Sequence, residues 1–203
     1  MPKQISIKEF TPELQRAINK EVSNLKNPKR VLSKTELSEA AQGFLDIIVK
    51  GTWTQREDGK IDVKGSVDAY RNPMLVFFMG KEIFFGNVTG DFNCAYTRTL
   101  TSLEGAPEKV GGFFGCTYTN ITSLKGAPSE VGDDFYCTNI KTLTSLKWAP
   151  KKVGGHFWCD STKITSLEGS PEKVGGHFFC NNTKITSLNG IGEVGGRIYS
   201  DLK

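Results

Sequence analysis

The sequence predicts a mainly β repeat solenoid with units of 21–22 residues, no convex helices, and a helical and β-hairpin cap at its N-terminal side. Three observations predict it. The block Val-Gly-Gly-x-Phe-x-Cys returns through the second half of the chain, and Cys94, Cys116, Cys137, Cys159 and Cys180 follow at intervals of 22, 21, 22 and 21 residues. Leu103, Leu124, Leu146, Leu167 and Leu188 keep the same beat, as do Pro107, Pro128, Pro150 and Pro171. Within Val174-Gly-Gly-His-Phe178-Phe-Cys180, Phe and Cys alternate with other residues, the pattern of a strand with one buried face. Units this short cannot bury an apolar face alone, so neighbours must stack and share one core.

Residues 1–62 read as the cap and 63–203 as the solenoid, with regular units from about 86. In the cap, Thr11-Pro12 starts a helix whose apolar stripe is Leu14, Ile18, Val22 and Leu25, and Asn27-Pro28 stops it. Ser33-Lys-Thr-Glu36 is a capping box that opens a second helix, with Leu37, Ala41, Phe44, Leu45 and Ile48 as its stripe and Gly51 just past its end. Between Trp53 and Val63, Asp58-Gly59 separates two alternating segments and predicts a hairpin turn. A degraded turn of 25 residues begins at Val63, with Val67 and Ala69 where Phe and Cys fall later. Regular turns run from Val88 to Pro107, Val110 to Pro128, Val131 to Pro150, Val153 to Pro171 and Val174 to Asn189, followed by a half-turn from Val194 to Lys203. The glycine pair before each strand permits a sharp corner or a close backbone approach, and Gly-Ala-Pro returns the chain.

Composition excludes several classes. With 37% apolar and 24% charged residues, the 203-residue chain is not disordered as a whole. Its longest apolar run, Met74 to Met79, has the length of a strand and falls far short of the roughly 20 residues of a membrane span. Met1 to Phe10 contains no apolar signal region, so the expected location is the cytoplasm, with no membrane contact. Five cysteines, an odd number at wide spacing, fit buried thiols better than a disulfide framework. The formal charge of +4 is too small to argue nucleic-acid binding, and the eight Lys or Arg against three Glu in residues 1–34 read as a solvated helix surface. At the other end, Ile198 and Leu202 are under-covered beside open strand edges, so a homodimer through the C-terminal turn, or a partner contact there, is expected.

Written as Phe-x-Cys-x-x-Thr-x-Ile-x-x-Leu, the unit resembles the leucine-rich repeat, with Phe and Cys at two leucine positions and Thr119, Thr162 and Thr183 where that family usually has Asn. Its period and proline-bearing return are similar to the short bacterial-type leucine-rich repeats of secreted pathogen effectors. Units reading Leu-Thr-Ser-Leu-x-Gly-Ala-Pro-x-x-Val-Gly-Gly-x-Phe-x-Cys resemble still more closely a group of repeat proteins from tailed bacteriophages and bacteria. The resemblance covers about residues 86–203. It implies a scaffold that presents a binding surface. It also implies a phage factor that interferes with a host or defence protein in the host cytoplasm.

The outward strand residues form three columns on the expected concave sheet. The first is Asp91, Phe113, Asp134, His156, His177 and Arg197; the second is Asn93, Gly115, Tyr136, Trp158, Phe179 and Tyr199; the third is Ala95, Thr117, Thr138, Asp160, Asn181 and Asp201. Tyr136, Trp158, Phe179 and Tyr199 thus make an aromatic stripe where the fold does not require apolar residues, the mark of a binding surface. His156, His177, Asp160 and Arg197 adjoin it as hydrogen-bonding groups. A His base oriented by Asp160 would need an activated Ser or Cys on this face, and Cys159 and Cys180 point the other way. Five thiols in a column do not converge as a metal site requires. The expectation is a non-catalytic protein without metal or cofactor that recognises a partner protein on this stripe. The alternative is single-stranded nucleic acid or a nucleotide, its bases stacked on the rings and its phosphates near His156, His177 and Arg197.

Overall fold

The structure, a computed structural model, describes residue 16 and residues 36–202. The predicted helix from Pro12 to Leu25 and the basic segment lie outside the described residues, Arg16 apart. The fold is a mainly β parallel solenoid preceded by a helix and a hairpin.

Helix α1 (Glu39–Ile48) begins later than the capping box predicts. Ser38 is the N-cap, its Oγ accepting from the Ala41 backbone N–H at 3.1 Å, and Glu36 precedes the helix. The hydroxyl satisfies a free helix donor and Glu39 meets the positive helix end, which fixes the start there. Ala41, Phe44, Leu45 and Ile48 are buried, as the stripe predicts. Val49 is already extended and leads straight into β1 (Val49–Gln55), so Gly51 is a strand residue rather than a helix cap. It faces Gly65 of β2 (Ile61–Asp68), both with positive φ, and a Cβ on either would lie 2.2 Å from a facing carbonyl oxygen. The hairpin turns at Asp58-Gly59, with Gly59 at φ +84°.

The run Met74–Met79 holds a short helix, α2 (Leu75–Phe78), rather than a strand. Asn72 starts it by accepting from the Met74 N–H at 2.9 Å. Phe78 stacks on Phe44 at 4.9 Å, which seats α1 on the first return segment.

From here each turn carries two short strands, one on either side of a glycine-bearing corner, where the sequence pattern predicts one. The strands before the glycines are β3 (Phe85–Val88), β5 (Lys109–Val110), β7 (Glu130–Val131), β9 (Lys152–Val153), β11 (Lys173–Val174) and β13 (Glu193–Val194). Those after them are β4 (Phe92–Asn93), β6 (Phe114–Gly115), β8 (Phe135–Tyr136), β10 (Phe157–Trp158), β12 (Phe178–Phe179) and β14 (Ile198–Tyr199). Each set forms a parallel ladder in register, and β2 is long enough to open both. Val63 pairs with Val88 and Val67 with Phe92, so the degraded turn stands in register with the rest. The glycine directly after the ladder valine serves close approach: a Cβ on Gly132 would lie 2.0 Å from the Gly111 oxygen, and one on Gly154 2.0 Å from the Gly132 oxygen.

Inside, Phe92, Phe114, Phe135, Phe157 and Phe178 stack with centroids 5.5, 5.3, 5.2 and 5.0 Å apart. Each is fully buried, so truncating one costs about 3–5 kcal/mol. All five cysteines are buried and free. Their thiols are more than filler: Cys94 donates to the Gly115 carbonyl at 3.2 Å and Cys137 to the Trp158 carbonyl at 3.2 Å, one turn on. Thr119, Thr162 and Thr183 donate to the Cys carbonyl three residues earlier, at 2.8, 2.7 and 2.8 Å, closing the bend after the strand. An ion cluster ties the hairpin to the third turn: Arg56 donates to Asp62 at 2.8 Å and to Glu108 at 3.0 Å, and Lys60 also pairs with Glu108. At the far end, β13 and β14 have one neighbour each, and Ile198 and Leu202 are partly buried against the core. No helix among the described residues is long and apolar enough to cross a membrane.

Candidate aromatic interface

The second residue of β8, β10, β12 and β14 points away from the Phe core, because strand residues alternate faces. Parallel in-register pairing then sets Tyr136 beside Trp158, Trp158 beside Phe179, and Phe179 beside Tyr199. The rings form one ladder: Tyr136 to Trp158 6.0 Å, Trp158 to Phe179 3.6 Å at 6°, Phe179 to Tyr199 4.6 Å at 3°. Such contacts each add about 0.5–1.5 kcal/mol beyond burial, so the ladder stiffens the sheet. It leaves Tyr136, Trp158 and Phe179 half-buried and Tyr199 37% exposed. Phe113 meets the Tyr136 ring edge-on at 6.0 Å. The Tyr136 hydroxyl donates to Asp134 at 2.6 Å, and burial and that carboxylate together raise its pKa above the ordinary tyrosine value.

The adjoining column holds the corner together. Asp91 accepts from the Phe113 N–H at 3.0 Å and Asp134 from the His156 N–H at 2.6 Å. One and two turns on, His156 Nδ1 accepts from the His177 N–H at 2.7 Å, and His177 Nδ1 from the Arg197 N–H at 2.7 Å. The imidazoles stack at 4.9 Å and 3°, and because Nδ1 accepts, the proton of a neutral ring sits on Nε2. The sequence pattern joins the two histidines through recognition; the structure adds a framework role. Its signal in the sequence is that the same column carries Asp91 and Asp134, side chains able to accept the same bond.

Asp160 is half-buried and bonds neither histidine. Its buried Oδ1 and the buried Trp158 Nε1 lack hydrogen-bond partners among the described residues, and desolvation raises the Asp160 pKa. Arg197 contributes its backbone N–H to the corner and exposes its side chain. No cluster of three or more His, Cys, Asp or Glu among the described residues is placed to hold a metal ion.

Two features escape the sequence pattern. A second aromatic group, Tyr70, Tyr96 and Tyr118, lies just past the strands: Tyr96 stacks on Tyr118 at 4.6 Å, and the Arg71 guanidinium lies 5.2 and 5.0 Å from the Tyr70 and Tyr96 rings. Tyr96 and Tyr118 occupy the residue two past Cys, where every turn has positive φ. Trp148, 57% exposed, has φ +75° where other turns place Gly105, Gly126, Gly169 and Gly190. Separately, a groove of about 1010 Å³ runs along the return segments by Phe84, Glu104 and Ala127, and no predicted site residue lines it.

Fold and surface together define a repeat solenoid with an aromatic outer face. Comparison with family models, with curated proteins and with solved structures finds no match to this chain.

Proposed function

We propose that the protein is a non-catalytic binding module that recognises a partner protein on the face of Tyr136, Trp158, Phe179 and Tyr199. The observation that carries this reading is the continuous ring ladder at positions occupied by Asn93 and Gly115 in earlier turns. The core does not need these rings, and large aromatics on an outer face are the residues that anchor protein interfaces. Their mutual stacking favours a protein over a nucleic acid as the occupant. Phe179 is sandwiched between Trp158 at 3.6 Å and Tyr199 at 4.6 Å, so the inner rings offer edges rather than base-sized platforms to a ligand. His156 and His177 keep Nε2 for a partner acceptor, and Arg197 supplies an exposed cation. The resemblance to phage repeat proteins extends the proposal to a host or defence protein as the partner. Trp158→Ala, and Tyr136→Ala with Phe179→Ala, test it by lowering partner affinity by about 2 kcal/mol, roughly 30-fold, while circular dichroism stays unchanged. Undiminished binding by folded variants removes this face as the site.

A further inference from the structure

Past each strand the chain bends through its positive-φ residue and then presents a side chain to solvent at the same corner of the solenoid. Successive turns place Arg98, Asn120, Lys141, Lys163 and Lys184 there, all exposed, and Arg71 begins the bend of the first turn. The register is fixed by the backbone: Lys163 N–H donates to the Leu143 carbonyl and Lys184 N–H to the Ile164 carbonyl, both at 2.9 Å.

The charge on this corner is not neutralised. On the strands before the glycine pairs, Lys109 meets Glu130 at 3.0 Å and Lys173 meets Glu193 at 3.1 Å, so cations there pair with carboxylates one turn on. Among the described residues, none of Arg71, Arg98, Lys141, Lys163 or Lys184 forms an ion pair. Asp160 keeps Oδ1 buried and feels the Lys141 charge without forming an ion pair, Lys141 Nζ donates to the neutral Ser161 carbonyl at 2.7 Å, and Asp201 accepts from Asn181 Nδ2 at 3.2 Å and from the Asn182 N–H. Like charges one turn apart, about 4.8 Å, repel, and a regularly spaced polyanion relieves that repulsion. At the N-terminal end of the row, Tyr70 and Tyr96 are 39% and 36% exposed with Arg71 between them, an aromatic and guanidinium surface beside the cations.

We infer that this ridge binds the phosphate backbone of a single-stranded nucleic acid, with bases from the same strand reaching Tyr70 and Tyr96. A row one residue wide follows one backbone, and the exposed edges of the Tyr70 and Tyr96 rings at its end give the unpaired bases of that strand an aromatic contact. The surface is separate from the aromatic face and does not depend on the reading of that face.

The test is fluorescence anisotropy with labelled oligothymidylate and oligouridylate of about 20 nucleotides, long enough to cross the ridge. Four exposed cations give log K against log salt a slope of about −3, so affinity falls roughly 60-fold between about 50 and 200 mM NaCl. The Lys141→Gln, Lys163→Gln, Lys184→Gln triple variant should bring the slope to about −1 and weaken low-salt binding at least about tenfold. The control, Lys109→Gln with Lys173→Gln on the paired side, should leave binding within about twofold. Equal melting temperatures show that each variant keeps its fold. No binding, a triple variant that binds like the parent, equal affinity for blunt duplex, or tighter binding of polyglutamate would each overturn the proposal.

Discussion

His156→Ala removes the one side-chain acceptor of the His177 N–H, whose bond of 2.7 Å closes the Gly175-Gly176 corner, and it removes a ring stacked at 4.9 Å on His177. An unpaired, partly buried backbone donor costs about 1–3 kcal/mol, and the lost ring contact adds about 0.5 kcal/mol, so about 2 kcal/mol of stability should go. His156→Asp puts back what Asp91 and Asp134 already provide in earlier turns and should recover about half of the loss. Urea unfolding followed by circular dichroism reads this as a midpoint lower by about 1 M for the Ala variant, taking a slope of about 2 kcal/mol per molar urea. Nitrogen NMR of the histidine rings supplies an independent readout, with the proton on Nε2 in both. An Ala variant as stable as the parent, or an Asp variant no better than Ala, would refute the acceptor column.

Burial pushes the Cys94 thiol up to about 12 and the Cys180 thiol up to about 11, so Ellman reagent should find five thiols after denaturation and few before, with Cys180 in the last full turn reacting first. A stable disulfide in the purified protein contradicts this. Arg56 holds the Asp62 carboxyl below its ordinary range, and Lys60 with Arg56 does the same for Glu108. Folded values below unfolded ones mean that the ion cluster stabilises the fold above the ordinary carboxylate range and is lost as pH falls through the lower folded values. The stability gap between parent and Arg56→Met should therefore be present at neutral pH and close below about pH 4, and a gap constant to lower pH refutes the assignment. Trp148→Gly and Trp148→Ala lose the same ring, but only Gly relaxes φ +75°, so Gly should be the more stable of the two by about 1 kcal/mol by urea unfolding; equal stabilities mean no strain there.

Much of the fold is legible because the repeat is covalent information: inward Phe and Cys must recur once per turn for columns to stack, and even Val67 and Ala69 betray the first turn. The second strand of each turn is hidden because Lys-Val or Glu-Val is only two residues long and carries no alternation of its own. The start of α1 is hidden because Ser33 and Ser38 both offer capping hydroxyls, and a tertiary contact that no local pattern shows, Ser38 N–H donating to Glu82 at 3.2 Å, adds to the local cap at the second. The aromatic stripe is legible from strand alternation, whereas Tyr70, Tyr96 and Tyr118 fall in bends outside that alternation, where only the shared position of Tyr96 and Tyr118 two past Cys signals a common surface.

The central claim is that the ladder face meets a protein. A photo-crosslinking phenylalanine analogue at Tyr199, at the exposed end of the ladder, compared with the same analogue at Thr144 on an exposed return segment, tests it in the cells in which the protein is naturally made. Protein adducts at position 199 that are absent from position 144 and disappear with Trp158→Ala are the predicted result; adducts at position 144 alone, or at 199 undiminished by Trp158→Ala, would contradict it.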